Sequence, residues 1–241
     1  MSFRWVIRLL CGVMLAMFAV LTADAQALDA TSGPRPMLPE GELRVGIDPT
    51  APPIIFSRDE RITGLEADFA RGFARELGVP LNFVIMEFDE LIPALTEGKI
   101  DIIMSGMTAT DIRSIQVNFA RPFLITGQMP LVRAKDLSRY PTTMALMNAQ
   151  VLIGVEEGTT GDFYVSENMT FADRVPFDDI LRAADALAAE RIGMVVTDAP
   201  TVWWLASQRQ SAGLTPVAAL LSRETLAWGV AKDNPRLLAA A

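Results

Sequence analysis

Apolar residues recur at helical spacing most clearly between Leu65 and Leu77, where Leu65, Phe69, Phe73 and Leu77 fall every four residues with Ala70 and Ala74 beside them. This predicts an amphipathic helix. Glu66, Asp68, Arg71, Arg75 and Glu76 occupy the other side, and the phenylalanines are expected in the core. Gly78 and then Pro80 end the helix, because glycine accepts the left-handed cap conformation and proline cannot continue the turn. Elsewhere the pattern shortens. Leu43-Arg-Val-Gly-Ile47 alternates and reads as a first strand, closed by Asp48-Pro49 and the Pro52-Pro53 pair. Leu81 to Met86 returns as a strand, Asp89 is expected to cap a helix through Glu97, and Gly98 ends that helix. Ile100-Asp-Ile-Ile-Met104 then has the short apolar run of a strand buried on both faces. Strand, helix, strand, helix, strand predicts a parallel α/β layer with right-handed crossovers.

Phe119 to Leu124 and Gln128 to Val132 run out of this layer, and the polar Arg133-Ala-Lys-Asp136 opens a second unit. Val151-Leu-Ile-Gly-Val155 is its first strand, followed by the turn Glu156-Glu-Gly-Thr-Thr-Gly161. Ile180 to Ala189 is helical, Gly193-Met-Val-Val-Thr197 is a strand that delivers Asp198, and Thr201 to Gln208 is a helix with Trp203 and Trp204 expected in core packing. Leu226 to Val230 reads as a strand returning to the first unit.

Ser105-Gly-Met-Thr-Ala-Thr-Asp-Ile-Arg113 puts hydroxyls, free backbone amides and an arginine where a strand gives way to a helix that Thr110 or Asp111 can cap. Unpaired N–H groups and the positive end of a helix dipole stabilise an anion there. Arg113 can add a two-pronged fork to a carboxylate. The same residues also suit a capped surface helix with a solvated arginine. The second unit repeats the arrangement at Gly158 to Thr160, and two such sheet edges facing each other make a cleft where small ligands are expected.

Composition narrows the chemistry. The chain opens with Arg4 and Arg8, an apolar run from Leu9 to Leu21 and small residues at Ala23, Ala25 and Ala27, which predicts a signal peptide over residues 1–27. That run is shorter than the roughly 20 residues of a membrane span. Cys11 lies inside the segment, so no disulfide, thiolate metal site or cysteine nucleophile is expected in the mature chain. Histidine is absent, which removes Ser-His-Asp and Cys-His catalysis and a histidine pH switch. Loss of Arg4, Arg8 and Asp24 with the signal takes the formal net charge from −8 to −9, a poor match to nucleic acid or to anionic membranes. Residues 28–41, with Ser32-Gly-Pro34, Pro36 and Pro39, read as a flexible lead-in.

The order of motifs resembles the extracytoplasmic solute-binding proteins of ABC importers, in the family that binds amino acids and other small polar solutes. The resemblance rests on Leu43 to Asp48, Pro52-Pro53, Gly64-Leu-Glu-Ala-Asp68, Phe88 to Leu95, Gly98-Lys-Ile-Asp101, Ser105 to Thr108 with Arg113, Phe119 with Pro122-Phe123, Gly158 to Thr160 and Thr197-Asp198. It implies an α/β fold of two lobes of mixed, mainly parallel sheet with flanking helices, joined by a two-stranded hinge over a ligand cleft. Lobe 1 would span 42–132, lobe 2 133–225, and 226–241 would return to lobe 1. Closure would pivot near Val132-Arg133 and Trp228-Gly229. Arg113 would hold the ligand's α-carboxylate with Thr108 and Thr160, Thr159 beside them. Asp198 with the Gly106 carbonyl would hold the α-ammonium, and Asp48 either meets the ligand side chain or serves as a turn-former before Pro49. No cofactor or metal is implied. The partners would be a small polar solute, most simply an amino acid, and a membrane permease, with the protein a periplasmic monomer.

Three departures qualify this. Ala51 and Ile54 stand where the family has aromatics around the Pro-Pro pair, which predicts a missing aromatic wall; Leu65 replaces a common Phe; and Ala239 to Ala241 end the chain with no closing element, which predicts an incomplete first lobe. The competing classes are a dehydratase-like enzyme on the same fold, with Glu66, Asp68, Glu156 or Glu157 as its acids, and a solute sensor for a membrane partner.

Overall fold

The structure, a computed structural model, describes residues 37–241. The expected signal segment, Cys11 and residues 28–36 of the lead-in lie outside the described residues. Among the described residues no helix is long and apolar enough to cross a membrane.

The strongest periodic segment folds as its pattern requires, a helix over Leu65–Leu77 closed by Gly78 in the left-handed conformation at φ 70°. Its start needs glycine too. Gly64 sits at φ 113°, and a Cβ there would lie 2.5 Å from the Ile54 carbonyl oxygen. The buried face, however, is Glu66, Ala67, Ala70, Phe73 and Ala74, while Leu65 is exposed. This corrects the expectation that Glu66 belongs to the solvated side. Three alanines let the helix lie close to the sheet, which turns its first-turn glutamate inward. Phe69 joins Phe123 and Trp228 in a ring cluster with centroids 5.7 and 5.9 Å away.

Two mixed five-stranded sheets carry the fold. In the first, Leu81–Ile85, Leu43–Ile47 and Ile102–Ile103 run parallel, and Gly229–Ala231 then lies antiparallel to Ile102–Ile103 and to the edge strand Val117–Phe119. In the second, Asp173–Phe177, Leu152–Glu156 and Met194–Asp198 run parallel, followed by the antiparallel Gln128–Arg133 and Leu214–Pro216. Each sheet is covered on both faces by apolar clusters, which is why its central strands read as unbroken apolar runs. The chain crosses between the sheets twice, along the antiparallel pair Leu124–Thr126 and Glu224–Leu226. Val132 and Arg133 lie instead inside a strand of the second sheet, so the crossing is earlier in the chain than the expected pivot.

Two further expectations are corrected. Asp89 caps nothing: a 3-10 turn, Phe88–Glu90, leads into the helix Leu91–Thr96 without a side-chain cap. Trp203 is 55% exposed and only Trp204 packs against the core, since adjacent helix positions point in different directions. The last residues form the helix Pro235–Ala240, whose Leu237 packs in the core of the first sheet. Asn234 caps it at the Leu237 amide, 3.1 Å, and its amide donates to the Met37 carbonyl at 2.9 Å. Asn234→Ala is expected to cost about 1–2 kcal/mol, read as a lower urea midpoint.

Candidate functional site

The carboxyl ends of the two sheets' strands meet at a cavity of about 40 Å³ whose walls include Asp48, Gly106, Thr108, Arg113, Thr159, Thr160 and Asp198. All seven residues singled out in the sequence are therefore brought to one place. Asp48 ends the strand Leu43–Ile47, and Ser105 ties that end to the next strand, accepting from the Asp48 amide at 2.8 Å and donating to its carbonyl at 3.3 Å. Gly106 follows at φ 64°, where glycine is favoured, and its N–H donates to the Glu66 carboxylate.

Arg113 lies in the short helix Asp111–Gln116, capped by the Thr110 hydroxyl at 3.2 Å from the Arg113 amide. It is not solvated: only 8% of it is exposed. Its Nη1 donates to the Thr108 carbonyl at 3.0 Å and its Nη2 to the Gly158 carbonyl at 3.1 Å, so one guanidinium joins turns from both sheets. The Phe88 ring lies 5.2 Å from its Cζ. Burial lowers the guanidinium from its ordinary value, and the charges of Glu224 and Asp198 raise it again.

Opposite stands an acidic group that the sequence only half disclosed. Asp198 ends the strand Met194–Asp198 and accepts from Gln128 Nε2 at 2.9 Å. Although part of its surface stays open, burial of the carboxyl and the nearby Glu224 push it up to about 7, against the pull of Arg113 and Gln128. Glu224 Oε2 accepts from Thr108 Oγ1 at 2.9 Å, from Thr160 Oγ1 at 2.7 Å and from Gln128 Nε2 at 3.4 Å. Glu224, Gln128 and Phe88 were missed as site residues, and Glu156 was singled out only as an acid of the competing enzyme reading. Their only local signals were a place at a strand's start or end and, for Phe88, a place in a recognised motif. Phe88 supplies an aromatic wall that Ala51 and Ile54 do not.

Gly158, at φ 73°, turns the strand Leu152–Glu156 into the helix Thr160–Asn168. Thr159 caps that helix, accepting from the Asp162 amide at 3.3 Å while donating to the Glu156 carbonyl at 2.7 Å. Its hydroxyl is thereby committed to the fold. Of the four acids considered for catalysis, only Glu156 lines the cavity. Glu66 points at the back of the Gly106 turn, and the side chains of Asp68 and Glu157 are 81% and 65% exposed.

Residues 43–241 match the bacterial extracellular solute-binding proteins, family 3. The chain belongs to that family. It is 28% identical to the L-cystine-binding protein TcyJ of Escherichia coli K12 over 66% of this chain and 59% of that protein, so the match spans about three-fifths of that relative. Among solved structures it is similar to a Gly52Ala mutant of arginine-bound ArgBP from T. maritima, at 35% identity and TM-score 0.78, covering 83% of this chain and 92% of the other. It is also similar to the ancestral amino acid-binding protein AncCDT-1, a precursor of cyclohexadienyl dehydratase, at 32% identity and TM-score 0.76, covering 83% and 86%. The shared fold is thus that of family members with two mixed sheets and flanking helices.

Proposed function

We propose that this family member binds a free amino acid between two lobes built on the two sheets, outside the cytoplasm, and hands it as a monomer to the permease of an ABC importer. The observation that carries the reading is the pairing of poles in the cavity. Arg113, a buried cation with donors aimed across both turns, lines the cavity with Asp198, and a zwitterion placed between them has each charge met by a fixed opposite charge. Unmatched charge in such a site is expensive, so a ligand lacking either group is disfavoured. In this reading the Arg113 fork takes the α-carboxylate with the amides of Thr108 and Thr160, and Asp198 with the Gly106 carbonyl takes the α-ammonium.

The cavity, about 40 Å³, is far below the roughly 300 Å³ at which small-molecule sites begin, so ligand entry requires the lobes to part. The paired crossing strands Leu124–Thr126 and Glu224–Leu226 would bend as the hinge. Ligand touching both sides then favours the closed state by its differential affinity.

Thermal-shift measurement of the purified mature chain against amino acids, polyamines and organic acids tests this. At a ligand concentration 100 times Kd, an amino acid should stabilise by about 2.7 kcal/mol and raise Tm by roughly 5–10 °C. Equal stabilisation by a polyamine or a simple organic acid would sink the zwitterion reading. Prephenate and arogenate should remain unconverted.

A further inference from the structure

Beyond the two poles that hold the α-groups, a second acidic region lies in the same cavity. Asp48 comes from the first sheet and Glu156 from the second, and they are 5% and 7% exposed. Thr50 stands beside both, its hydroxyl 3.5 Å from Glu156 Oε1. Asp48 lines the cavity, and its Oδ2 is buried without a hydrogen-bond partner. An orphaned buried carboxylate oxygen costs free energy unless something donates to it. No arginine or lysine among the described residues does so.

The charges around the cavity make the same point. Its wall carries one cation, Arg113, and three carboxyls, Asp48, Glu156 and Asp198. A neutral zwitterion uses Arg113 and Asp198 and leaves Asp48 and Glu156 facing each other uncompensated. Past Asp48 a wider cavity, about 420 Å³, opens between Glu87, Glu90, Asp178 and Asp179, with Arg182 as its one cation. Space for an extended side chain and negative potential therefore lie in the same direction.

We propose that Glu156, acting with Asp48, is a specificity-determining residue that receives the cationic end of a basic amino acid's side chain. The inference rests on the amino-acid reading above and names the ligand class of that site. Thr50 aligns the pair, and the Phe88 ring borders the path of the side chain's methylenes. Both acids are poised to respond. Burial, with Glu87 and Asp179 nearby, raises Asp48 to about 6 against the Thr50 hydroxyl and the Phe88 amide. Burial, with Asp48, Asp179 and Asp198, raises Glu156 well above its ordinary value, opposed by Thr50. An arriving cation restores their ionisation, so a basic ligand should release protons on binding and a neutral one should release fewer.

Calorimetric titration of wild type and Glu156→Gln with L-arginine, L-lysine, L-glutamine and L-alanine, in two buffers of different ionisation enthalpy, provides the test. In wild type the basic pair should bind most tightly. Glu156→Gln should weaken the basic pair about 10- to 100-fold, leave the neutral pair within about 3-fold, and reduce proton release. Glu156→Asp should recover part of the loss. Equal weakening of all four ligands, or an unchanged affinity for L-arginine, overturns the role of Glu156. Neutral amino acids binding wild type more tightly than basic ones overturns the ligand class while leaving the amino-acid reading intact. Failure of every amino acid to bind refutes the underlying reading instead. A melting temperature for Glu156→Gln within a few degrees of wild type shows that the variant is folded.

Discussion

Arg113→Ala is expected to weaken amino-acid binding by about 100-fold or more, the largest loss from any single side chain of the site. The guanidinium is buried and both of its Nη atoms are already oriented by the carbonyls of Thr108 and Gly158. A carboxylate arriving there meets donors that need no reordering. Truncating one partner of a buried, hydrogen-bonded charge pair typically costs 2–5 kcal/mol, because the surviving charge is left unmatched. Arg113→Lys keeps the charge but not the planar fork, so an intermediate loss of roughly 10-fold is expected. Arg113 also bridges the two sheets, and alanine removes that closing contact as well. An amino-acid amide, which lacks the carboxylate, separates the effects: its weak binding should hardly change in Arg113→Ala if the carboxylate is what Arg113 holds. Calorimetric titration of both ligands against both proteins measures this. A loss below about five-fold for the amino acid would remove Arg113 from the carboxylate role.

Stability should fall as pH rises from about 5 to 8.5, and Glu66→Gln should flatten the fall. Glu66 is fully buried, its Oε2 accepts from the Gly106 amide, and its Oε1 has no hydrogen-bond partner. The Trp228 indole faces the carboxyl and favours its ionised form, although no aligned hydrogen bond joins them. Burial outweighs both and raises the group from 4.5 to about 8. Between those two values the folded chain holds a proton that the unfolded chain has released. Unfolding therefore becomes easier with each step up in pH, and stability is lost across this window rather than gained. For a fully buried carboxyl the total is on the order of 4 kcal/mol, or about 10 °C in Tm for a chain of this size. Asp48 and Asp198, raised to about 6 and about 7, act in the same direction. Glutamine can still accept from the Gly106 amide and has no proton to lose. Parallel Tm–pH curves for wild type and Glu66→Gln would show that the carboxyl is not the source. The group touches the site as well, since it holds the Gly106 turn that lines the cavity.

The legible part of this protein was local. Leu65–Leu77 declared itself because four apolar residues one turn apart define a face, and Gly78 marked its end. The strand-to-helix turns at Ser105–Thr108 and Gly158–Thr160 were visible because glycines and hydroxyls have few other uses at a strand's end. Arg113, one turn into the first helix, suited solvent as well as a ligand by its local pattern, and only the Gly158 carbonyl, from the other sheet, takes it out of solvent. Glu66 was misplaced for a related reason. Its pattern position is polar, and only the close approach of the Gly106 amide makes an inward carboxyl tolerable.

By itself, then, the sequence determined the α/β class, the succession of strands and helices, the two turns rich in hydroxyls, and the absence of histidine and of any cysteine beyond Cys11. Those properties depend on residues within a few positions of each other. The tertiary structure alone decided that Thr50 and Glu156, separated by 106 residues, face each other. It also decided that Gln128 and Glu224 line up with Thr160, and that Asp48, Asp198 and Glu66 hold protons well above the usual carboxylate range. Burial and electrostatic neighbourhood are set by what other segments of the chain bring alongside, and no spacing along the sequence records it.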